Sequence, residues 1–392
     1  MSVFLCSVLP PLGLYTLISR YLLKNPHYLH RKKKTAFYCT QISHRGGKRG
    51  AAEGGIYDPR CAMTPKLNAF LKTYPSGIKK INGSGEKIEN TMEAFTNALE
   101  KGSQMLEMDC HLTKDGHVVV SHDENLKRQT GVDKDISSLN LEDLPLYKEK
   151  LEVVFNAGHE NDSGTDRKIA LLEDVFRTFP NIPVSIEIKE DNPQLMREVS
   201  TLVKRYDREG ITLWASEDAK ILNKCRSING SMPYSFSKQR GILLLLLYYT
   251  GLLPFVPVGE SVLQFYLPRL INRTYIPENP EILKKSWVVS LIDKTTMRKN
   301  LFKHLADRGI QVHLFVCNKN EDIKAAFDLG ATGVMTDYPT LLSTYVKTHM
   351  GVDDPNSSNT PEQLLLEPQK HQRLEQTLPD QGGNPCVQTE QD

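Results

Sequence analysis

Residues 310–339 read IQVHLFVCNKNEDIKAAFDLGATGVMTDYP. The apolar, β-branched run at 310–316 predicts a strand, and 319–328 carries helical spacing up to Gly330, where a C-terminal cap belongs. The run at 332–335 predicts a second strand. A strand, a helix and a strand in so short a span imply two parallel strands joined by a right-handed crossover. Upstream the alternation continues. Strands are predicted at 41–45, 104–110, 117–121, 183–188, 211–215, 232–236 and 287–291. Helices are predicted at 90–101, 171–179, 193–207, 218–227 and 295–308, the last stopping at Gly309. In 193–207 the apolar Leu195, Met196, Val199, Leu202, Val203 and Tyr206 recur on one helical face, and Pro193 suits a first turn. About eight strands fit a closed (β/α)8 barrel, a TIM barrel, better than an open sheet. No GxGxxG follows the first strand, which removes the nucleotide-binding signal of the open alternative.

The remaining segments flank or interrupt this unit. The chain has 392 residues and a formal net charge of +2, too balanced for a dedicated nucleic-acid binder. Seven scattered cysteines with no CxxC pair give neither a disulfide framework nor a structural zinc site. Residues 1–24 are apolar until Arg20 and are expected to anchor the chain in a membrane, despite Pro10 and Pro11. A basic linker, 25–40, follows with Arg31-Lys32-Lys33-Lys34, and the positive-inside bias puts the barrel, 41–347, in the cytosol. A second apolar run, 241–259, lies inside the barrel sequence. A full crossing there would split one folded unit between compartments, so an interfacial or re-entrant hairpin broken at Pro254 and Pro257 is expected, with a buried core helix as the rival. Residues 348–392 are rich in Gln, Pro, Asn and Glu and are expected to be disordered.

Polar residues cluster at the predicted strand ends, where a barrel builds its active site. The first strand ends in His44-Arg45-Gly46-Gly47, the second carries Glu107 and Asp109, the next runs into His122, and a later one carries Glu187 and Lys189. Residues two apart on a strand share a face, so Glu107 and Asp109 aim together, as do Glu187 and Lys189. Three inward carboxylates repel unless a cation joins them, and an all-oxygen set suits Mg²⁺ or Ca²⁺. His44 and His122 would then supply a general acid and a general base on opposite sides of a phosphorus, with Arg45 and Lys189 on the phosphate oxygens. Each element alone is weak, since Glu-x-Asp on a strand is usually a solvated edge. His111 shares the face of Glu107 and Asp109 but receives no role.

Together these residues resemble the glycerophosphodiester phosphodiesterase family, a metal-dependent TIM-barrel group. The matching pieces are His-Arg-Gly-Gly at 44–47, Glu-Asn-Thr at 89–91, Leu-Glu-Met-Asp at 106–109, Val-Ser-His-Asp-Glu-Asn-Leu at 120–126, Ile-Glu-Ile-Lys at 186–189 and Gly-Ala-Thr-Gly-Val-Met-Thr-Asp-Tyr-Pro at 330–339. The resemblance implies His44 and His122 as acid–base residues, and Glu107, Asp109, Glu187 and also His122 as metal ligands. It implies Arg45 and Lys189 as phosphate contacts and Glu89 as a supporting carboxylate. The apolar segments resemble the small membrane-bound mammalian members, which act as lysophospholipases D. That implies a lysophospholipid substrate, a divalent metal, and an endoplasmic reticulum or perinuclear membrane. A diesterase for soluble glycerophosphodiesters and a catalytically silent lipid- or partner-binding barrel are the alternatives. Two departures stand out. An insertion at about 48–83 separates His-Arg-Gly-Gly from Gly-Glu-x-x-Glu-Asn-Thr, and Phe315 stands where relatives usually carry Trp.

Overall fold

The computed structural model describes residues 2–47, 87–148, 151–152, 160–161, 165–271, 283 and 285–350. The insertion expected at 48–83 and the tail from 351 onward lie outside the described residues. The strands are β1 (Gln41–His44), β2 (Met105–Leu112), β3 (Val118–Val120), β4 (Ala170–Leu171), β5 (Val184–Glu187), β6 (Thr212–Ala215), β7 (Val262–Tyr266), β8 (Gln311–Phe315) and β9 (Gly333–Thr336). A two-residue ribbon, Leu151–Glu152 with Glu160–Asn161, lies apart from them. The helices are α1 (Ser2–Lys24), α2 (Met92–Glu100), α3 (Leu172–Thr178), α4 (Pro193–Arg205), α5 (Ala219–Ile228), α6 (Lys238–Thr250), α7 (Ser286–Thr296), α8 (Lys299–Asp307), α9 (Asn320–Asp328) and α10 (Pro339–Met350).

The barrel closes in chain order. β1 pairs in parallel with β2, β2 with β5 and β5 with β6. On the other side β7 pairs with β8, β8 with β9 and β9 with β1. Single parallel bridges, Trp214 to Tyr234 and Ser235 to Val262, carry the ring across from β6 to β7. Residues 234–235 are thus the eighth stave, reduced to two residues, where a full strand over 232–236 was expected.

Three further expectations are corrected. The run at 117–121 is not a stave: β3 pairs antiparallel with β2, and β4 extends it. The five residues between β2 and β3 are too few for a parallel crossover, and the turn closes with Gly116 N–H on Thr113 O at 3.0 Å. The run WVVSL at 287–291 lies within α7, not in a strand. Short apolar runs do not separate strand from helix by periodicity, and propensity gives way to context. The helix expected over 295–308 is two, because α7 ends at Thr296 and α8 starts at Lys299.

Outside the staves, one apolar layer joins β2 and β5 to α2–α5 and another joins β8 and β9 to α8–α10. Inside the barrel floor Phe37, Cys39, Ile42, Met105, Leu213, Val262 and Met335 pack together. The supposed basic linker 25–40 is therefore partly structural. Gln311 fixes it, its Oε1 accepting from Cys39 N–H at 3.1 Å and its side-chain amide donating to Phe37 O at 3.0 Å.

Among the described residues no helix is long and apolar enough to cross a membrane. The spanning role expected of residues 1–24 is therefore not confirmed; α1, with Pro10 and Pro11 inside it, packs against α8 and the turn after α6. Tyr15 Oη donates to Thr250 O at 2.6 Å and Ser19 Oγ to Gly251 O at 2.6 Å, which joins α1 to the end of α6. Across 241–259 the chain forms α6 and then a 3-10 turn at Leu253–Phe255. In α6 only Leu244 is buried, and Ile242 and Leu246 are 58% and 59% exposed, so it is not a core helix.

Candidate active site

The strand register brings the carboxylates together. His44, the last residue of β1, sits opposite Glu107, and Asp109 sits opposite Glu187, the last residue of β5. One oxygen from each of Glu107, Asp109 and Glu187 lies within 4.8 Å of the others. Asp109 is 1% exposed and Glu107 6%. Burial, with Asp109 beside it, pushes the Glu107 carboxyl well above its ordinary range. Burial also lifts Glu187 to about 7, against the pull of Lys189. Asp109 goes the other way: burial opposes ionisation, but Lys189, His122 and Arg45 outweigh it and hold the carboxyl low. Acids that resist ionising unless positive charge is supplied are what a divalent ion resolves, so the donor set fits a hard cation.

The cations lie among them. Lys189 Nζ is 2.7 Å from Asp109 Oδ1, and Arg45 Nε is 3.6 Å from Asp109 Oδ2. Both residues expected on phosphate thus lie against Asp109, a carboxylate expected to hold the metal. Arg45 has φ of +54°, followed by Gly46 at +81° and Gly47 at +92°. This left-handed turn folds the loop after β1 against its neighbours. A Cβ on Gly46 would stand 2.7 Å from Ala94 Cβ, and one on Gly47 2.7 Å from Pro339 Cδ, which is why the motif carries two glycines. The Glu-Asn-Thr segment docks on the same turn. Asn90 N–H donates to Arg45 O at 2.8 Å, and Thr91 caps α2 by accepting from Ala94 N–H at 3.2 Å. Glu89 is turned inward, where Arg128 Nη2 reaches its Oε1 at 2.8 Å and Arg45 Nη1 lies 4.0 Å from its Oε2.

Each histidine is held by an aspartate. His44 Nδ1 is 2.6 Å from Asp337 Oδ1, and its Nε2 is 3.8 Å from Glu107 Oε2. Asn318 secures Asp337, its side-chain amide donating to Oδ2 at 2.8 Å while its Oδ1 accepts from Asp337 N–H. His122 Nδ1 pairs with Asp123, whose other oxygen takes a hydrogen bond from Arg128. Burial and the nearby Arg45 bring His122 down to about 4. The eight residues singled out from the sequence therefore form one connected group: the carboxylates, Lys189 and Arg45 by direct approach, His44 through Glu107, and Glu89 through Arg45. His122 meets the group where its backbone carbonyl lies 3.5 Å from Lys189 Nζ.

Asp337, Asp123, Arg128 and Asn318 receive no role from the sequence. Asp337 and Asp123 stand inside the strand-end motifs, which is the one signal that points to them; their pairing with the histidines is not visible in the sequence. Arg128 and Asn318 have no such signal.

A barrel with buried acids, two aspartate-held histidines and basic groups at its strand ends defines a phosphoryl-handling hydrolase class. The chain belongs to the glycerophosphoryl diester phosphodiesterase family, whose model matches residues 72–240. It is 44% identical over 350 residues to lysophospholipase D GDPD3 of Homo sapiens, covering 89% of this chain and 98% of that one. It is also 44% identical over 339 residues to human lysophospholipase D GDPD1, covering 86% and 96%. The glycerophosphoryl diester phosphodiesterase domain of a Mycobacterium tuberculosis protein shares the fold, with a TM-score of 0.50 at 16% identity over 80% of this chain and all of that domain. The protein is a phosphodiesterase.

Proposed function

We propose that the chain is a metal-dependent lysophospholipase D. It would hydrolyse single-chain lipids such as lysophosphatidylcholine or N-acyl lysophosphatidylethanolamine to lysophosphatidic acid, releasing the headgroup alcohol or N-acylethanolamine. The observation that carries this reading is the convergence of Glu107, Asp109 and Glu187 on one point, flanked by His44 and His122. Those three carboxylates would hold a Mg²⁺ or Ca²⁺ ion, whose bound charge would neutralise the phosphate and act as Lewis acid; His122, expected among the ligands, lies outside that cluster. Arg45 and Lys189 orient the nonbridging oxygens. Asp337 and Asp123 each fix an Nδ1, so Nε2 is the working nitrogen of both rings. One ring takes the proton of the attacking water or glycerol hydroxyl. The other donates a proton to the headgroup oxygen as its bond to phosphorus breaks.

The apolar surface supports a lipid substrate. Leu14, Leu17 and Tyr21 of α1, Ile242, Leu246 and Tyr249 of α6, and Trp287 and Leu291 of α7 are all exposed. Tyr249 Oη donates to Thr295 O at 2.8 Å and Tyr15 Oη to Thr250 O at 2.6 Å, which links the three helices. Such a face suits a barrel lying on a membrane. The test is headgroup release by the full chain from lysophosphatidylcholine micelles and from glycerophosphocholine, with and without EDTA. Metal-dependent turnover of the lipid in preference to the soluble diester is expected. Preference for the soluble diester, or no turnover of either, would reject the reading.

A further inference from the structure

Among the described residues, one further group of side chains that could hold a metal lies outside this site. His111, Glu124 and Glu190 bring Nδ1 and two carboxylate oxygens within 4.8 Å of one another. They come from three elements: the end of β2, the loop after β3 and the loop after β5. His111 is 2% exposed, whereas the two glutamate side chains are 30% and 31% exposed and open to solvent. Glu190 Oε1 lies 2.6 Å from His111 Nδ1 and takes its hydrogen bond. Glu124 Oε2 lies 2.9 Å from the same nitrogen, but one N–H does not point along both directions. That oxygen, shut away from solvent, is left without a hydrogen bond, and so is His111 Nε2. A buried acceptor aimed at an atom already engaged is costly unless something else fills the gap.

We propose that His111, Glu124 and Glu190 form a second divalent-cation site at the rim of the barrel. One imidazole nitrogen with two carboxylates suits the borderline Zn²⁺ better than the all-oxygen set below it does, while Mn²⁺ is accepted by both kinds of donor set. On binding, the ion takes the place of the Nδ1 proton, which leaves to solvent. His111 lies two residues beyond Asp109 on β2, roughly 7 Å along the strand. That is wider than the ~4 Å of a paired catalytic centre, so the rim ion does not share the phosphate. Its effect is positional. Glu124 is two residues from His122 and Glu190 is next to Lys189, so the ion would tie the loops that carry both to β2.

The test is Mn²⁺ binding to the full chain by equilibrium dialysis, together with the melting temperature in the presence of Zn²⁺. The wild type is expected to bind about two Mn²⁺ per chain and E124Q/E190Q about one, with the rim site's share of the Zn²⁺-induced rise in melting temperature lost in that variant. A D109N/E187Q variant is expected to lose the other ion and keep that rise. This separates the rim site from the proposed catalytic one. If E124Q/E190Q, melting cooperatively without metal, binds as many ions as the wild type, the proposal fails. It also fails if the wild type binds a single ion that D109N/E187Q removes. Should D109N/E187Q not fold, the comparison of E124Q/E190Q with the wild type still decides.

Discussion

Asp337 ties its function to a partner 293 residues away. Its carboxylate holds His44 Nδ1 and is itself held by Asn318. Asp337→Asn keeps the shape but replaces an acceptor with a donor-bearing amide, so the imidazole loses its fixed tautomer. Turnover is expected to fall by about 10²–10⁴-fold with little change in KM, measured by steady-state headgroup release. Gly46→Ala tests the backbone instead. A positive φ and a 2.7 Å approach to Ala94 Cβ are expected to cost about 2–3 kcal/mol, read as a lower urea midpoint at an unchanged slope. The paired acids are legible in the sequence because Glu107 and Asp109 share a strand face by simple alternation. The aspartates behind the histidines are not. A hydrogen bond between distant segments leaves no local pattern, and Asp123 beside His122 looks like any other acidic loop residue.

At the scale of elements, the parallel staves are readable where a strand–helix–strand alternation is plain, as with β8, α9 and β9, whereas β7 (Val262–Tyr266) falls where no strand is expected from the sequence. Local propensity misleads in WVVSL at 287–291 and in the β2–β3 turn, whose shortness already speaks against a parallel partner. The docking of α1 makes a pH prediction. His304 on α8 is fully buried with Nδ1 2.8 Å from Leu23 O, and burial holds it near 4, with Arg308 and His30 adding to the effect and Asp307 opposing it. The folded value lies below the ordinary 6.5, so the unfolded chain binds the extra proton first. The contribution of this one group should be constant above pH 6.5, fall between about 6.5 and 4, and level off below. The ceiling for this one group is about 3 kcal/mol. His313, buried and held near 3, adds to the same slope. Urea midpoints at pH 7.5 and 5 check this, and His304→Gln should flatten the curve. An unchanged slope in that variant assigns the effect elsewhere.

For the whole molecule, the exposed apolar residues of α1, α6 and α7 are the surface we propose meets lipid. Ile242→Glu with Leu246→Glu should reduce flotation with phosphatidylcholine vesicles and lower lysophospholipid turnover by about tenfold or more. Turnover of glycerophosphocholine should hardly change, because neither side chain belongs to the polar group at the strand ends. Equal losses on both substrates would contradict a role in membrane contact. The ring itself has an uneven wall. Between β6 and β7 only Tyr234 and Ser235 bridge, whereas β7 and β8 are matched over five residue pairs.

The floor of the barrel bears on how the protein is handled at the bench. Phe37 and Cys39 lie under the staves and are clamped by Gln311, although the predicted catalytic segment starts at residue 41. A recombinant fragment begun at the first stave would lack its own plug and leave Ile42, Met105 and Val262 wet. A truncation meant to shed the leading helix should therefore begin upstream of Phe37. Low yield from a shorter version would reflect a missing stopper, with no bearing on catalysis.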